Sequence, residues 1–355
     1  MEMKAHRNGE GETSVTVGNA LIGAGAFTVI AGPCAVESEA QIMEAAAFIA
    51  EGGAAILRGG AFKIRRSPYD FQGLGAEGLR YLRKAGDAYD LPVVSEVTEP
   101  DDVGIVAEHV DMVQVGASNM QNFVLLRAVG QTERPVLLKR GPSATIDEWL
   151  MAAEYILNEG NMNVVLGEQG IRTFDTRTTS TLDISSVPVV KQLSHLPVII
   201  DPSHASGASA IVAPLALAGR AAGADGLMVE VHPTPDDALT DGPHQLDRDE
   251  YLALMHALGI VRLRADIDLV DREIVRLLAR RVKRAVEIAR IKVEEDIPLR
   301  SPDREVDLLA DVREEAERLG LDPKVVHRLF EEVLDYSRYE QRRAVGVEEE
   351  GDPGL

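Results

Sequence analysis

Eight short apolar runs recur along the first two thirds of the chain, at 27–33, 54–60, 92–97, 112–117, 135–140, 164–169, 197–204 and 226–232. Each is rich in Val, Ile or Leu and too short for an amphipathic helix, so each predicts a strand buried on both faces. The stretches between them, such as 39–51, 78–89, 122–129 and 145–158, are long enough for crossover helices. Strand then helix, repeated over about 205 residues, is the rhythm of an α/β fold of the closed (β/α)8 TIM-barrel type. A doubly wound open sheet is the competing fold. It needs an early glycine-rich phosphate turn, and the first run ends instead in Gly32-Pro33-Cys34.

In a closed barrel, chemistry sits just past the carboxyl ends of the strands. Those positions hold Cys34, Arg58, Lys63, Glu96, Lys139, Arg140, Glu168, Asp201, His204, Glu230 and His232. A lone buried thiol such as Cys34 is either inert core or a metal ligand. For the second reading the candidate partners are His204, Glu230 and Asp241, since the first, seventh and eighth strands become neighbours on closure. A mixed set of soft and hard ligands suits Mn, Fe, Co or Zn better than Mg. A cationic cluster of Arg58, Lys63, Arg65 and Arg66 follows the second run, and Lys139-Arg140-Gly141 ends the fifth. Surface charge accounts for Arg66, whereas Lys63 and Lys139 at strand tips suit a phosphate or carboxylate.

Ahead of the barrel, 1–14 reads as a flexible arm and 15–26 as a short hairpin around Gly18 and Gly23 that caps the barrel bottom. The formal net charge of −21 argues against a duplex nucleic-acid partner while leaving room for a small anion in a locally basic pocket. No apolar run reaches the ~20 residues of a membrane span, and 1–10 lacks the apolar core of a signal peptide. With one cysteine there is no internal disulfide, which fits a reducing cytoplasm.

After Gly259 the apolar period changes. Ile260, Leu263, Ile267, Val270, Ile274, Leu277 and Leu278, then Val282, Val286, Ala289 and Val293, recur at helical spacing and predict one long amphipathic helix ending before Pro298. A second helix is expected from Pro302, capped by Ser301, to Leu319, and a third from Pro323 to about Arg343, with a disordered tail over 346–355. The barrel is thus expected over 15–258 and an all-α three-helix domain over 260–345. Three unequal helices do not bury a continuous core by themselves, so the long one implies a partner.

The barrel motifs resemble the 3-deoxy-7-phosphoheptulonate (DAHP) synthase family, in its short-core microbial branch. They are Ala31-Gly32-Pro33-Cys34, Gly59-Gly60-Ala61-Phe62-Lys63, Ser67-Pro68-Tyr69, Phe71-Gln72-Gly73-Leu74-Gly75, Asn119-Met120-Gln121-Asn122, Leu138-Lys139-Arg140-Gly141, Gly170-Ile171-Arg172-Thr173-Phe174, Asp201-Pro202-Ser203-His204 and Val229-Glu230-Val231-His232-Pro233. The resemblance implies a metal-dependent, aldol-type condensation of phosphoenolpyruvate with erythrose 4-phosphate. By it, Cys34, His204, Glu230 and Asp241 are the metal ligands, Arg65 and Lys139 hold phosphoenolpyruvate, and Lys63 and Arg65 orient the two anions.

There are departures. Where the family carries arginines of its phosphate clamp, this chain has Ser118 and Gln169; Lys-Pro-Arg-Thr is Lys63-Ile64-Arg65-Arg66, and Ala208-Ser209 replace a basic residue. A charged hydrogen bond is worth roughly 1.5–3 kcal/mol, so losing two bears directly on phosphate affinity.

The helical segment is similar to the all-helical chorismate mutase family through Leu263-Arg264, Ile267, Asp271, Leu277-Leu278-Ala279, Asp303-Arg304-Glu305, Arg328-Leu329-Phe330, Ser337 and Gln341. It implies a cofactor-free site of Arg281, Lys292, Arg304, Glu305, Ser337 and Gln341, with Arg264 supplied by the second subunit of a homodimer. The two resemblances together imply a bifunctional cytoplasmic enzyme of the shikimate pathway acting on small anionic substrates, dimeric through its helical domain or assembled further. The alternative is an active mutase whose barrel takes an altered substrate or is a non-catalytic regulatory or scaffold module, an alternative motivated by Ser118 and Gln169.

Overall fold

A computed structural model describes residues 3–7, 11–65 and 67–346, with the backbone alone described at 260–269 and 273. It divides into a unit over Met1–Asp266 and one over Ile267–Leu355.

The first unit opens with a hairpin, β1 (Val15–Val17) and β2 (Ala20–Ile22), paired antiparallel with Val17 opposite Ala20. Gly18 at φ +56° supplies the left-handed turn that a two-residue connection needs. There follow β3 (Thr28–Gly32), α1 (Glu39–Glu51), β4 (Ile56–Arg58), α2 (Ala76–Ala88), β5 (Val93–Val97), α3 (Val103–His109) and β6 (Met112–Val115). The remainder is α4 (Phe123–Gly130), β7 (Val136–Lys139), α5 (Ile146–Asn158), β8 (Val164–Glu168), α6 (Ser186–Leu193), β9 (Val198–Ile200), α7 (Pro202–Ser206), α8 (Val212–Ala221) and β10 (Gly226–Glu230). Among the described residues, β3 to β10 pair in parallel and close, with β10 against β3. The eight-stranded barrel expected from the apolar runs is therefore the fold, and the open sheet is excluded.

Helix starts are written locally. Ser38 accepts from the Gln41 amide before α1, and Thr145 and Glu148 form a reciprocal capping box before α5.

Period-two alternation sorts the strand residues into layers. Ile30, Ile56, Val94, Met112, Leu137, Val165, Ile199 and Met228 form an interior apolar layer, and Val15, Val17, Ala20 and Ile22 of the hairpin join it as a plug. Intervening residues such as Val29, Ala31, Leu57, Val113 and Leu138 face the helices in a second, outer core. Two positions further along each strand, the inward parity reaches Gly32, Arg58, Glu96, Gln114, Lys139, Gly167, Asp201 and Glu230. One alternation thus sets an apolar floor beneath a polar ceiling. Gly32 is required in that ceiling, because a Cβ there would lie 1.8 Å from the Arg58 carbonyl oxygen.

The expectation of a flexible arm over 1–14 fails at residues 3–7 and 13. Ala5 is fully buried, its amide donates to Glu154 (2.9 Å), and Ser194 donates to its carbonyl (2.5 Å). His195 bridges the Lys4 carbonyl and the Thr13 hydroxyl, each at 2.6 Å. Side chains supplied by α5 and the end of α6 satisfy this backbone, which composition alone does not reveal.

A second correction concerns the long helix. It starts at Arg248 and runs unbroken as α9 (Arg248–Glu294, 47 residues), not from about 260. Asp247 and Glu250 exchange side-chain to backbone bonds at 2.8 and 3.2 Å, which caps its start, and Tyr251, Leu254, Met255 and Leu258 pack on the outer core at helical spacing. Gly259 lies inside the helix, where glycine costs only about 1 kcal/mol relative to alanine.

The second unit continues with α10 (Pro302–Arg318) and α11 (Pro323–Val345). Ser301 precedes α10 without a side-chain cap bond, whereas Asp322 caps α11 through the Lys324 amide. Few of its described apolar side chains are buried, with Ala289, Ala316 and Leu334 the clearest cases. Val270, Ile274, Leu277, Ile288 and Ile291 of α9 all remain exposed. Among the described residues no helix is long and apolar enough to cross a membrane.

Candidate functional sites

At the carboxyl end of the barrel, β3 ends one residue short of Pro33 and delivers Cys34, which is fully buried. β10 delivers Glu230, also fully buried, and the loop after it carries Asp241 in a left-handed conformation at φ +50°. The Cys34 Sγ lies 3.1 Å from Asp241 Oδ2. Cys34, Glu230 and Asp241 each offer one ligand atom, all within 4.8 Å of one another.

His204 stands beside this trio rather than within it. Asp201 caps the one-turn helix α7 by accepting from the His204 amide at 3.2 Å. That places the imidazole Nδ1 2.8 Å from Asp201 Oδ2 and its Nε2 3.4 Å from Glu230 Oε1. A carboxylate on one ring nitrogen fixes which way the other nitrogen points.

Cations frame the same group. Arg58, 2% exposed, pairs with Glu230 Oε1 and also reaches the Cys34 carbonyl at 3.5 Å. Lys63 Nζ lies 3.1 Å from the Cys34 sulfur and 3.4 Å from its carbonyl. Burial, then the Glu230 carboxylate, push the Cys34 thiol up to about 12, with Lys63 and Arg58 working in the opposite direction. Burial would raise Glu230 as well, but His204, Arg58 and Lys63 outweigh it and bring it to about 2. Asp201 follows the same logic: His204 and Lys139 overcome its burial and hold it well below the ordinary carboxylate range.

Two atoms in this cluster are unanswered. Glu230 Oε2 and His204 Nδ1 are buried and make no hydrogen bond among the described residues, the latter despite its 2.8 Å approach to Asp201, an expensive state above all for a carboxylate oxygen. A thiol and two carboxylates beside an imidazole, with one carboxylate oxygen orphaned, are the donors that a divalent transition ion takes. The residues present therefore fit a metal ion.

Across the mouth, Lys139 Nζ pairs with Asp201 at 2.6 Å, both buried. Arg140 bridges Glu168 and Asp183, each at 2.9 Å, and Gln114 donates to Glu96 at 2.8 Å. Burial raises Glu168 despite Arg140. Arg65 lies further out, 3.7 Å from Asp70. Ser118 is exposed on the turn Ala117–Asn119, Gln169 is half-buried just beyond β8, and Arg66 lies outside the described residues.

In the helical unit, Arg281 donates to the Ser337 hydroxyl and to the Val333 carbonyl at 3.4 Å. Gln341, one turn beyond Ser337, donates to the Ala285 carbonyl at 2.9 Å. These bonds bring Arg281, Ser337 and Gln341 together between α9 and α11. Glu305 is tied to α11 by Arg338 at 2.8 Å and contacts Arg300 at 3.3 Å; against its own burial, these two cations lower it. Lys292 folds onto the Pro298 and Leu299 carbonyls at 3.2 and 3.0 Å, and Arg304 is exposed. The side chain of Arg264 lies outside the described residues.

Sequence reasoning had no means of finding three participants. Ser203 accepts from the Glu230 amide at 3.0 Å, Gln245 accepts from the Cys34 amide at 3.0 Å, and Arg338 holds Glu305. All three act through partners distant in sequence, although Ser203 lies inside a quoted motif.

Comparison with known proteins agrees with this geometry. Residues 7–260 match the DAHP synthetase I family, and residues 263–342 match chorismate mutase type II. A phospho-2-dehydro-3-deoxyheptonate aldolase of Thermotoga maritima is 51% identical over 247 residues, covering 70% of this chain and 73% of that protein. A 2-dehydro-3-deoxyphosphooctonate aldolase of Geobacter sulfurreducens is 31% identical over 266 residues, covering 70% and 97%. The crystal structure of the Thermotoga maritima DAHP synthase superposes with a TM-score of 0.71 at 48% identity, over 72% of this chain and 76% of that one. This chain belongs to the DAHP synthetase I family and carries a chorismate mutase type II domain after its barrel.

Proposed function

We propose that this chain is a bifunctional shikimate-pathway enzyme. Its barrel, over 15–258, condenses phosphoenolpyruvate with erythrose 4-phosphate, and its helical domain, over 260–345, rearranges chorismate to prephenate. The observation that carries the first activity is the gathering of Cys34, Glu230 and Asp241 beneath Lys63 in a chain of this family.

We assign Cys34, His204, Glu230 and Asp241 as the holders of a divalent ion, Mn, Fe, Co or Zn. When bound, such an ion supplies Lewis acidity toward the aldehyde of the sugar phosphate. Arg58 compensates the buried Glu230 charge, and Lys63 keeps a positive charge against the Cys34 sulfur. Lys139, fixed by Asp201, and Arg65, on the loop after β4, present cations to phosphoenolpyruvate.

In the helical domain no nucleophile or cofactor is needed. Arg281 and Arg304, with Arg264 of a second copy, fix the two carboxylates of chorismate. Lys292 and Gln341 donate to the ether oxygen as it gains charge, and Ser337 and Glu305 complete the site. The exposed apolar face of Val270, Ile274, Leu277, Ile288 and Ile291 supports a homodimer formed through this domain. The lone cysteine and the chemistry support a cytoplasmic enzyme.

A second reading keeps the mutase and gives the barrel an altered substrate or a non-catalytic role. It is favoured by the uncharged Ser118 and Gln169 at the mouth. One experiment separates them. The protein is assayed with phosphoenolpyruvate and erythrose 4-phosphate before chelation, after it, and after return of manganese. Product that disappears and returns supports the first reading, whereas metal binding without product at any stage supports the second.

A further inference from the structure

The loop between β10 and α9 bears Asp241, yet among the described residues few contacts tie it to the barrel. The Leu239 amide donates to Glu37 at 2.8 Å, and Leu246 joins β10 by exchanging backbone bonds with Glu230 and His232 at 2.8 and 3.0 Å. Between these anchors lies Gln245, 1% exposed. Its Oε1 accepts from the Cys34 amide at 3.0 Å, and its Nε2 donates to the carbonyl of Thr240, the residue before Asp241, at 2.9 Å. One side chain thus touches the segment bearing Cys34 and the segment bearing Asp241, which are 207 positions apart in the chain.

We propose that Gln245 is a positioning residue for the cation site, its buried amide setting the distance between the Cys34 sulfur and the Asp241 carboxylate. The inference rests on the reading of this group as a metal site.

The chemistry of the amide carries the argument. It must accept at one end, where a backbone N–H approaches, and donate at the other, where a carbonyl approaches, so only one orientation of the group satisfies both partners. Asp241 itself sits in a left-handed conformation that costs a non-glycine residue energy, so its position persists only while the surroundings hold it. Leu246, the next residue, bridges in parallel to Val231, the residue just past β10, and donates to the Glu230 carbonyl, so Gln245 is placed by the segment that supplies the third ligand. A glutamate at 245 keeps the acceptor, loses the donor and sets a carboxylate against the Thr240 carbonyl. A methionine keeps the volume and loses both bonds.

The test uses the full chain, stripped of metal and titrated with cobalt(II), and follows the near-ultraviolet band of a thiolate bound to cobalt. Tyr251→Phe, which removes a buried hydrogen bond to the Ile49 carbonyl in the outer core, controls for a general loss of stability. Gln245→Met and Gln245→Glu are expected to weaken cobalt binding at least tenfold and to reduce the band at saturation, while Y251F keeps the wild-type affinity and band. Wild-type affinity and band in either folded Gln245 variant would overturn the proposal. An equal loss in Y251F would also overturn it, since the effect would then be one of stability. A wild-type protein with no thiolate band refutes the metal reading itself, and the proposal falls with it.

Discussion

The barrel mouth and the helical cluster both gather cations around acidic partners, but they do so in different media. At the mouth, Arg58, Lys139, Asp201 and Glu230 are 2% exposed or less, and a depressed Asp201 and Glu230 record how strongly the charges depend on one another. In the helical unit Glu305 is paired with Arg338 and Arg300 at the edge of solvent, and Lys292 rests on loop carbonyls. The first site is assembled by eight strands of a single chain. The second stands beside an exposed apolar face of α9, the face on which the proposed second copy would sit. A closed barrel can bury a charged layer because its own apolar floor excludes water, whereas the three helices bury few of their described apolar side chains.

The sharpest break between the regions is chemical. Lys292→Ala is expected to slow prephenate formation by roughly 10³-fold, since it removes a donor that strengthens as the ether oxygen gains charge, and to leave condensation unchanged. Chelation should do the reverse; a chorismate assay that also fails after chelation would contradict the division. Next comes the uncovered face. If the proposed dimer forms through it, Ile274→Asp is expected to yield monomers in sedimentation and to remove mutase activity while condensation persists.

Breaking a buried pair tests the mouth. Arg58→Met removes the cation bonded to the buried Glu230, leaving His204 and Lys63 as its remaining positive neighbours; the loss is expected to approach the ~3–5 kcal/mol of a broken buried pair, read as a lower denaturation midpoint. The same kind of change at the helical site, Arg338→Met, leaves the partly buried Glu305 still paired with Arg300 and should alter prephenate formation only a few-fold.

The last prediction concerns pH. With the Cys34 thiol pushed up to about 12 by burial and Glu230, binding an ion to the thiolate releases a proton. Cobalt affinity should then fall about tenfold for each unit that pH is lowered near neutrality, and an affinity independent of pH would mean that Cys34 does not ligate.

Much of the barrel is legible because burial on both faces leaves an unbroken apolar run, and because the floor residues and the charged residues above them share one parity, as in Val94 and Glu96 or Leu137 and Lys139. The trio of Cys34, Glu230 and Asp241 could be suspected from strand ends and closure, since β3 and β10 meet only in a closed sheet. What the sequence conceals depends on partners far along the chain. Lys4 and Ala5 look solvated until Glu154 and Ser194 are seen to satisfy them, and Gln245 is an unremarkable loop amide until Cys34 faces it. The start of α9 is hidden for another reason: 248–258 packs on the barrel while the later turns follow a different apolar face, so the period shifts without a break in the helix.

The hairpin at Val15–Val17 and Ala20–Ile22 has one more consequence. Together with the interior layer that it extends, it closes the lower end of the barrel. Whatever enters at the rim must leave by the rim, so departing product and the next arrival share one doorway.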